Sequence, residues 1–161
     1  MKKLFLLITL LISTLCNSTS SYDNIYSVIG NEDNNTESNN INDMKDSKSK
    51  ITVNSHIFTA TLLDNESAEA FKEMLPLTIK MIELNGDEKY YDLSNNLPTN
   101  SSNPGTIRNG DLMLFGSRTL VLFYKTFSTS YSYTSLGKVD DTAGLAEALG
   151  KGNVTVTFEL E

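Results

Sequence analysis

Residues 111–137 read DLMLFGSRTLVLFYKTFSTSYSYTSLG. Two apolar runs, DLMLF and TLVLFY, flank Gly116-Ser117, and a run of hydroxyls and aromatics follows. Short apolar runs around a small glycine-containing turn read as a β-hairpin. Leu112 to Phe115 and Leu120 to Phe123 are apolar at every position. A strand with one wet face would alternate instead. Both strands are therefore expected to be covered twice, by a barrel or sheet interior on one face and by a helix on the other. KTFSTSYSYTS, which comes next, carries the question of function.

Outward from this hairpin the texture stays β-like. ITVNSHIFTATLLD, from Ile51, alternates apolar and polar residues about Asn54-Ser55 and predicts a second hairpin. Ser67 is the expected cap of SAEAFKEML, where Ala68, Phe71, Met74 and Leu75 fall at helical spacing before Pro76. LTIKMIEL and EKYYDL flank Asn85-Gly86, the strongest short hairpin signal. NNLPTNSSNPGTIRNG reads as a long loop, with Pro104-Gly105 suited to the centre of a type II turn. LGKV is a short strand, and TAGLAEALG a short helix closed by Gly150. NVTVTFELE ends the chain with period-2 alternation, so Val154, Val156, Phe158 and Leu160 should share a face. About eight short strands and two short helices predict an antiparallel β-barrel or sandwich, with SAEAFKEML and GLAEALG as lids.

The beginning of the chain has a different character. MKKLFLLITLLISTLC places Lys2 and Lys3 before an apolar run from Leu4 to Ile12. That run is too short for a mature membrane span and has the form of a secretory signal over residues 1–16. Cys16 is the sole cysteine, which excludes an intramolecular disulfide. STLC before NSTSS resembles a bacterial lipobox, whose cysteine becomes the lipidated first residue of the mature chain. Leu15 stands where that motif has a small residue, and cleavage near Ser18–Ser21 is the other route. Residues 17–50 are rich in Asn, Ser and Asp with little apolar periodicity. Such a segment buries too little surface to offset its ordering entropy, so it is expected to be a disordered tether. The folded domain is then 51–161.

Charge narrows the class of partner. The whole chain carries a formal net charge of -7, and residues 51–161 hold 14 acidic and 8 basic residues. An acidic domain without a Lys/Arg cluster repels polyphosphate, which argues against nucleic acid and for a neutral or cationic ligand.

The residues of the usual chemistries are sparse. His56, the single histidine, adjoins a hairpin turn and reads as a solvated surface residue. No histidine–cysteine set offers metal-ligand spacing, no serine stands in a nucleophile elbow, and no phosphate-cradling glycine motif occurs, so neither metal nor cofactor is expected. The pairs Asp87-Glu88 and Asp140-Asp141 have structural readings, one beside a hairpin turn and one before a short helix. In KTFSTSYSYTS, Phe127, Tyr131 and Tyr133 share parity, and Ser128, Ser130 and Ser132 would face the other way in an extended segment. Tyrosines beside serines make a recognition surface for a peptide or small ligand, which Tyr90 and Tyr91 would join. The plainer alternative packs the rings on the barrel and spends the hydroxyls on loop backbone.

ITVNSHIFTATLLDNESAEAFKEMLPLTIKM, NGDEKYYDLSNNLP, NPGTIRNGDLMLF, LVLFYKTFSTSYSYTSLGKV and GLAEALGKGNVTVTFEL run in an order that resembles the bacterial cyclophilin-like domain family. The resemblance covers nearly all of 51–161. It implies a small closed β-barrel capped by two helices, often behind a signal peptide or lipoprotein tether, with no established reaction. The prolyl isomerases that share the barrel resemble one another in an arginine near aromatics and a glutamine before glycines. This chain has no glutamine and no tryptophan, and its arginines, Arg108 and Arg118, lie in turn-rich contexts. The reading is an envelope-tethered binding module. Its alternatives are a prolyl isomerase or other barrel enzyme with an atypical site, and a structural accessory domain.

Overall fold

The computed structural model describes residues 48–161. The signal, the Cys16 lipidation site and residues 17–47 of the expected tether lie outside the described residues.

Eight strands close into a barrel: β1 (Lys48–Val53), β2 (His56–Leu62), β3 (Leu77–Leu84), β4 (Glu88–Asp92), β6 (Asp111–Phe115), β7 (Thr119–Phe123), β9 (Thr134–Val139) and β10 (Val154–Leu160). Their order is β1-β10-β3-β4-β7-β6-β9-β2, every neighbouring pair is antiparallel, and β2 returns to β1. A sheet closed on itself has no free edge. Two further strands, β5 (Thr106–Ile107) and β8 (Phe127–Ser128), pair with each other outside it. The helices are α1 (Glu66–Lys72) and α2 (Leu145–Leu149).

Strand β1 begins at Lys48, three residues before the expected start at Ile51. Ser49 pairs with Leu160 and Ala60, so the ladder holds these residues irrespective of their polar composition. Alternation sends Ile51, Val53, Ile79, Met81, Val156 and Phe158 into the barrel. Leu160 departs from its expected company: it is exposed at the end of β10, where the barrel wall runs out.

The two helices stand at opposite ends of the barrel, because α1 follows the end of β2 and precedes β3, whereas α2 leads into the start of β10. Phe71 of α1 reaches Phe158 edge-on, with ring centroids 5.6 Å apart. Leu145, Ala148 and Leu149 of α2 are buried in the same core. Asn65, and not Ser67, caps α1: its side-chain oxygen accepts the Ala68 N–H at 2.9 Å. Ser67 lies two residues further on, inside the helix and buried, and donates to the Pro98 carbonyl at 2.7 Å.

The helices therefore plug the barrel and leave the outer face of β6 and β7 uncovered. The expectation of a helix there was wrong in its agent. The cover comes from β5, β8 and their loops. Ile107, Phe127 and Tyr133 pack with Met113, Val121 and Phe123 in a second apolar cluster outside the barrel, joined by Tyr90. We call this cover the flap. An eight-stranded barrel leaves an interior just wide enough for its own side chains to fill.

Candidate functional site

Strand β4 separates two environments by simple alternation. Lys89 and Tyr91 point inward, and Glu88 and Tyr90 point outward. Lys89 is 0% exposed, and all three ammonium protons have acceptors. These are Glu83 and the carbonyls of Gly150 at 2.9 Å and Gly152 at 2.7 Å. The Tyr124 hydroxyl donates to the Glu83 carboxylate at 2.8 Å, and the Gly86 N–H donates to it at 2.7 Å. Burial by itself would raise the Glu83 pKa, but Lys89, Tyr124 and Gly86 outweigh it and hold the carboxyl below its ordinary value. Burial, and then the Glu83 carboxylate, push the Tyr124 hydroxyl up. A buried pair with its donors and acceptors satisfied is a structural clasp, here between the β3–β4 hairpin and the segment leading into β10.

Glu88 is the opposite case. It lies across from Leu84 of β3 and Phe123 of β7 on the outer face. Among the described residues it has neither an ion pair nor a side-chain hydrogen bond. Burial, followed by the charges of Asp87 and Glu83, pushes its carboxyl up to about 7. Phe123, its partner across the ladder, meets the Tyr133 ring, and burial, followed by the Glu88 charge, raises the Tyr133 hydroxyl.

From Glu88 an aromatic strip runs over the outside of the barrel. Phe127 meets Phe123 at 5.8 Å between centroids, and Phe123 meets Tyr133 at 5.5 Å. Tyr133 meets Phe115 at 5.5 Å, and Phe115 meets Tyr131 at 6.1 Å. Offset and edge contacts of this kind suit aromatic quadrupoles. The strip is buried in its middle and open at its far end, where Phe115 is exposed and Tyr131 is 53% exposed.

The structure brings four of the five sequence-predicted ligand residues to this face and leaves one out. Phe127, Tyr133 and Tyr90 belong to the second cluster, and Tyr131 stands at its rim. Tyr91 packs against the barrel core on the other side of β4. The shared parity of Phe127, Tyr131 and Tyr133 is not what gathers them, because of the three only Phe127 lies in a strand. The segment is instead stitched to the long 95–110 loop. Tyr133 and Ser102 exchange backbone bonds at 2.9 and 3.0 Å, and the Thr129 N–H donates to the Gly105 carbonyl at 3.0 Å. Thr129 and Thr134 hydroxyls accept loop N–H groups, while Ser128, Ser130 and Ser132 are exposed. The structural reading holds for Tyr133, Thr129 and Thr134, which tie the segment to the loop, while Tyr131 and the three serines stay exposed.

Other candidates fall elsewhere. His56 is exposed at the start of β2. No cluster of three or more His, Cys, Asp or Glu residues suited to a metal ion occurs among the described residues. Arg108 and Arg118 are both exposed, so neither is an arginine buried among aromatics. Asp140 accepts from Thr61 at 2.6 Å and Lys48 at 2.9 Å, which overcome the effect of burial and lower its pKa. These groups edge a depression along β2 and β9 that contains none of the aromatic residues. No described helix is long and apolar enough to cross a membrane.

Sequence reasoning gave Glu88 a structural reading beside its turn and did not single out Leu84, Ile82 or Phe115. The signal lay in the turn. Asn85 (φ 57°) and Gly86 (φ 77°) form the expected positive-φ turn, closed by Asp87 N–H to Leu84 carbonyl at 3.2 Å. A strict two-residue hairpin pairs Leu84 with Asp87. The observed ladder pairs Leu84 with Glu88, one residue later. That single step exchanges the faces of Glu88 and Lys89.

No curated protein matches the chain. Among solved structures, the solution structure of the hypothetical protein AF2241 from Archaeoglobus fulgidus is similar, with a TM-score of 0.55 and 16% sequence identity. The match covers 73% of this chain and 96% of that one, and it speaks for the fold alone. A family model described as the Cyclophilin-like family matches residues 51–159. With the closed eight-stranded barrel, this match settles the family: the chain belongs to the cyclophilin-like family.

Proposed function

We propose that the domain is a non-catalytic binding module, held outside the cell on a lipidated tether, whose ligand lies on the aromatic strip. The observation that carries this reading is the position of the strip. It lies outside the barrel, beyond the core that closes the fold, and ends at the exposed rings of Phe115 and Tyr131. Amphipathic rings next to free hydroxyls give contact area at low entropic cost. Loops fixed on a rigid barrel are common carriers of recognition.

The alternative, a prolyl isomerase, finds no support in Arg108 and Arg118, which stand in solvent. Proline cis/trans exchange takes tens to hundreds of seconds uncatalysed, so even weak catalysis is measurable. The expected result with a prolyl tetrapeptide is no acceleration. A clear acceleration abolished by Arg108→Ala or Arg118→Ala would promote the enzyme.

The tether rests on MKKLFLLITLLISTLC and the polar residues behind it. In a bacterial host, metabolic labelling with a fatty-acid analogue should tag the wild type and spare Cys16→Ser. Equal labelling of both, or of neither, removes the lipid anchor from the proposal.

A further inference from the structure

The flap stops short of β3. Ile82 and Leu84 project from that strand on the outer face and are 40% and 39% exposed. The ladder sets Ile82 beside Tyr90 and Leu84 beside Glu88, and continues from Tyr90 to Val121 and from Glu88 to Phe123. Phe127 of the flap packs on Phe123 from above. An uncovered strip is thus framed by aliphatic side chains on one side and an aromatic ring on the other, with one carboxylate and one tyrosine in its floor.

The charges around Glu88 define what that strip lacks. Asp87, on the same hairpin, pairs with Lys125 at 3.4 Å. Glu83, on β3, is held by Lys89 inside the barrel. Tyr124 is committed to Glu83, and Tyr133, edge-on to the Phe123 ring beside Glu88, is a neutral phenol. Each nearby cation is therefore engaged by a carboxylate other than Glu88. A half-buried carboxylate beside rings, without a cation of its own, is complementary to an ammonium, which gains from both the charge and the ring faces.

We propose that the strip formed by Ile82, Leu84, Glu88, Tyr90 and Phe127 binds an organic ammonium carried on an apolar body, the ammonium against Glu88 and the body against Leu84, Ile82 and Phe127. This deepens the binding-module reading and rests on it. The shared chemistry is that of an aralkyl amine or of a lysine side chain flanked by apolar residues. Because Glu88 is pushed up to about 7, an arriving cation also favours its ionised form, so binding strengthens as pH rises through that value.

The test is calorimetric or NMR titration of the full chain with phenethylammonium, against its neutral counterpart 2-phenylethanol, at pH 5 and pH 8 and constant ionic strength. The wild type should prefer the cation by about tenfold at pH 8, a modest demand on one partly desolvated charge pair. The preference should vanish at pH 5 and in Glu88→Gln. Leu84→Lys, which sets an internal ammonium opposite Glu88 at an exposed position, should remove it without touching the carboxylate, and so serves if Glu88→Gln fails to fold. A leucine–lysine–leucine tripeptide blocked at both termini, its lysine side chain left as the free ammonium, in place of phenethylammonium, separates the peptide source from the small amine. Equal affinity for cation and alcohol, or a preference that survives in Glu88→Gln or Leu84→Lys, overturns the ammonium site while leaving the aromatic binding face standing. No measurable binding of either probe overturns both.

Discussion

Lys89 and Glu88 are neighbours on one strand and live in opposite circumstances. Lys89 is wholly inside the barrel with three acceptors, and Glu88 is outside it with no donor to its carboxylate among the described residues. The same contrast holds for the two apolar clusters. The inner one is closed on every side by strands and by α1 and α2; the outer one is roofed by a flap of two very short strands and loops, and opens at both ends. The difference teaches a division of labour. Interior residues hold the barrel, and the outer face carries groups that the fold does not use up.

Mutations should separate the two regions by size of effect. Phe158→Ala removes a fully buried ring that meets Phe71 at the core, and should cost about 3–5 kcal/mol in urea unfolding. Lys89→Met keeps the bulk but leaves Glu83 and two carbonyls without their cation, and should cost roughly 3 kcal/mol by the same measurement. A stable Lys89→Met variant would mean that the clasp is dispensable and that the interior is less demanding than argued. Phe127→Ala thins only the flap and should cost about 1–2 kcal/mol. Tyr131→Ala, at the exposed rim, should fall within about 0.5 kcal/mol of wild type. A large loss for Tyr131→Ala would make the rim part of the core and erase the contrast.

The pH dependence sharpens the comparison further. The folded chain raises Glu88 from an ordinary 4.5 to about 7. Between those values the folded state keeps a proton that the unfolded chain has released, so stability from this group falls as pH rises. Glu83 has the reverse sign: its lowered pKa contributes stability above its ordinary value, lost on acidification. Glu88→Gln should therefore be more stable than wild type at pH 8, with the gap closing towards pH 4.5. A gap independent of pH would show that Glu88 titrates normally.

Much of the barrel was legible in residue order. The hairpins at Asn54-Ser55, Asn85-Gly86 and Gly116-Ser117 are all present, as are both helices and the inward alternation of Val154, Val156 and Phe158. Double burial of Leu112–Leu114 and Leu120–Phe123 was legible too, but not what does the covering. Apolar pattern reports that a face is covered and is silent about which remote segment covers it. The flap forms through long-range backbone pairs such as Ser102 with Tyr133, which leave no period in the sequence. The candidate site was legible in residue type, through Tyr90, Tyr131, Tyr133 and Phe127, whereas Tyr91 packs on the barrel core. Its carboxylate was not, because a one-residue register difference at a turn decides which way Glu88 points. Asn65 displaced Ser67 as helix cap for a similar reason, since both side chains suit the role and only the local backbone selects between them.

The most direct test of the division between interior and outer face is a map of amide chemical-shift changes in the full chain on adding phenethylammonium at pH 8. The account predicts changes confined to Ile82, Leu84, Glu88, Tyr90 and Phe127 and their immediate neighbours, with the amides of Phe71, Val156 and Phe158 unmoved. Changes centred on the helices or the barrel interior, or none at all, would contradict it.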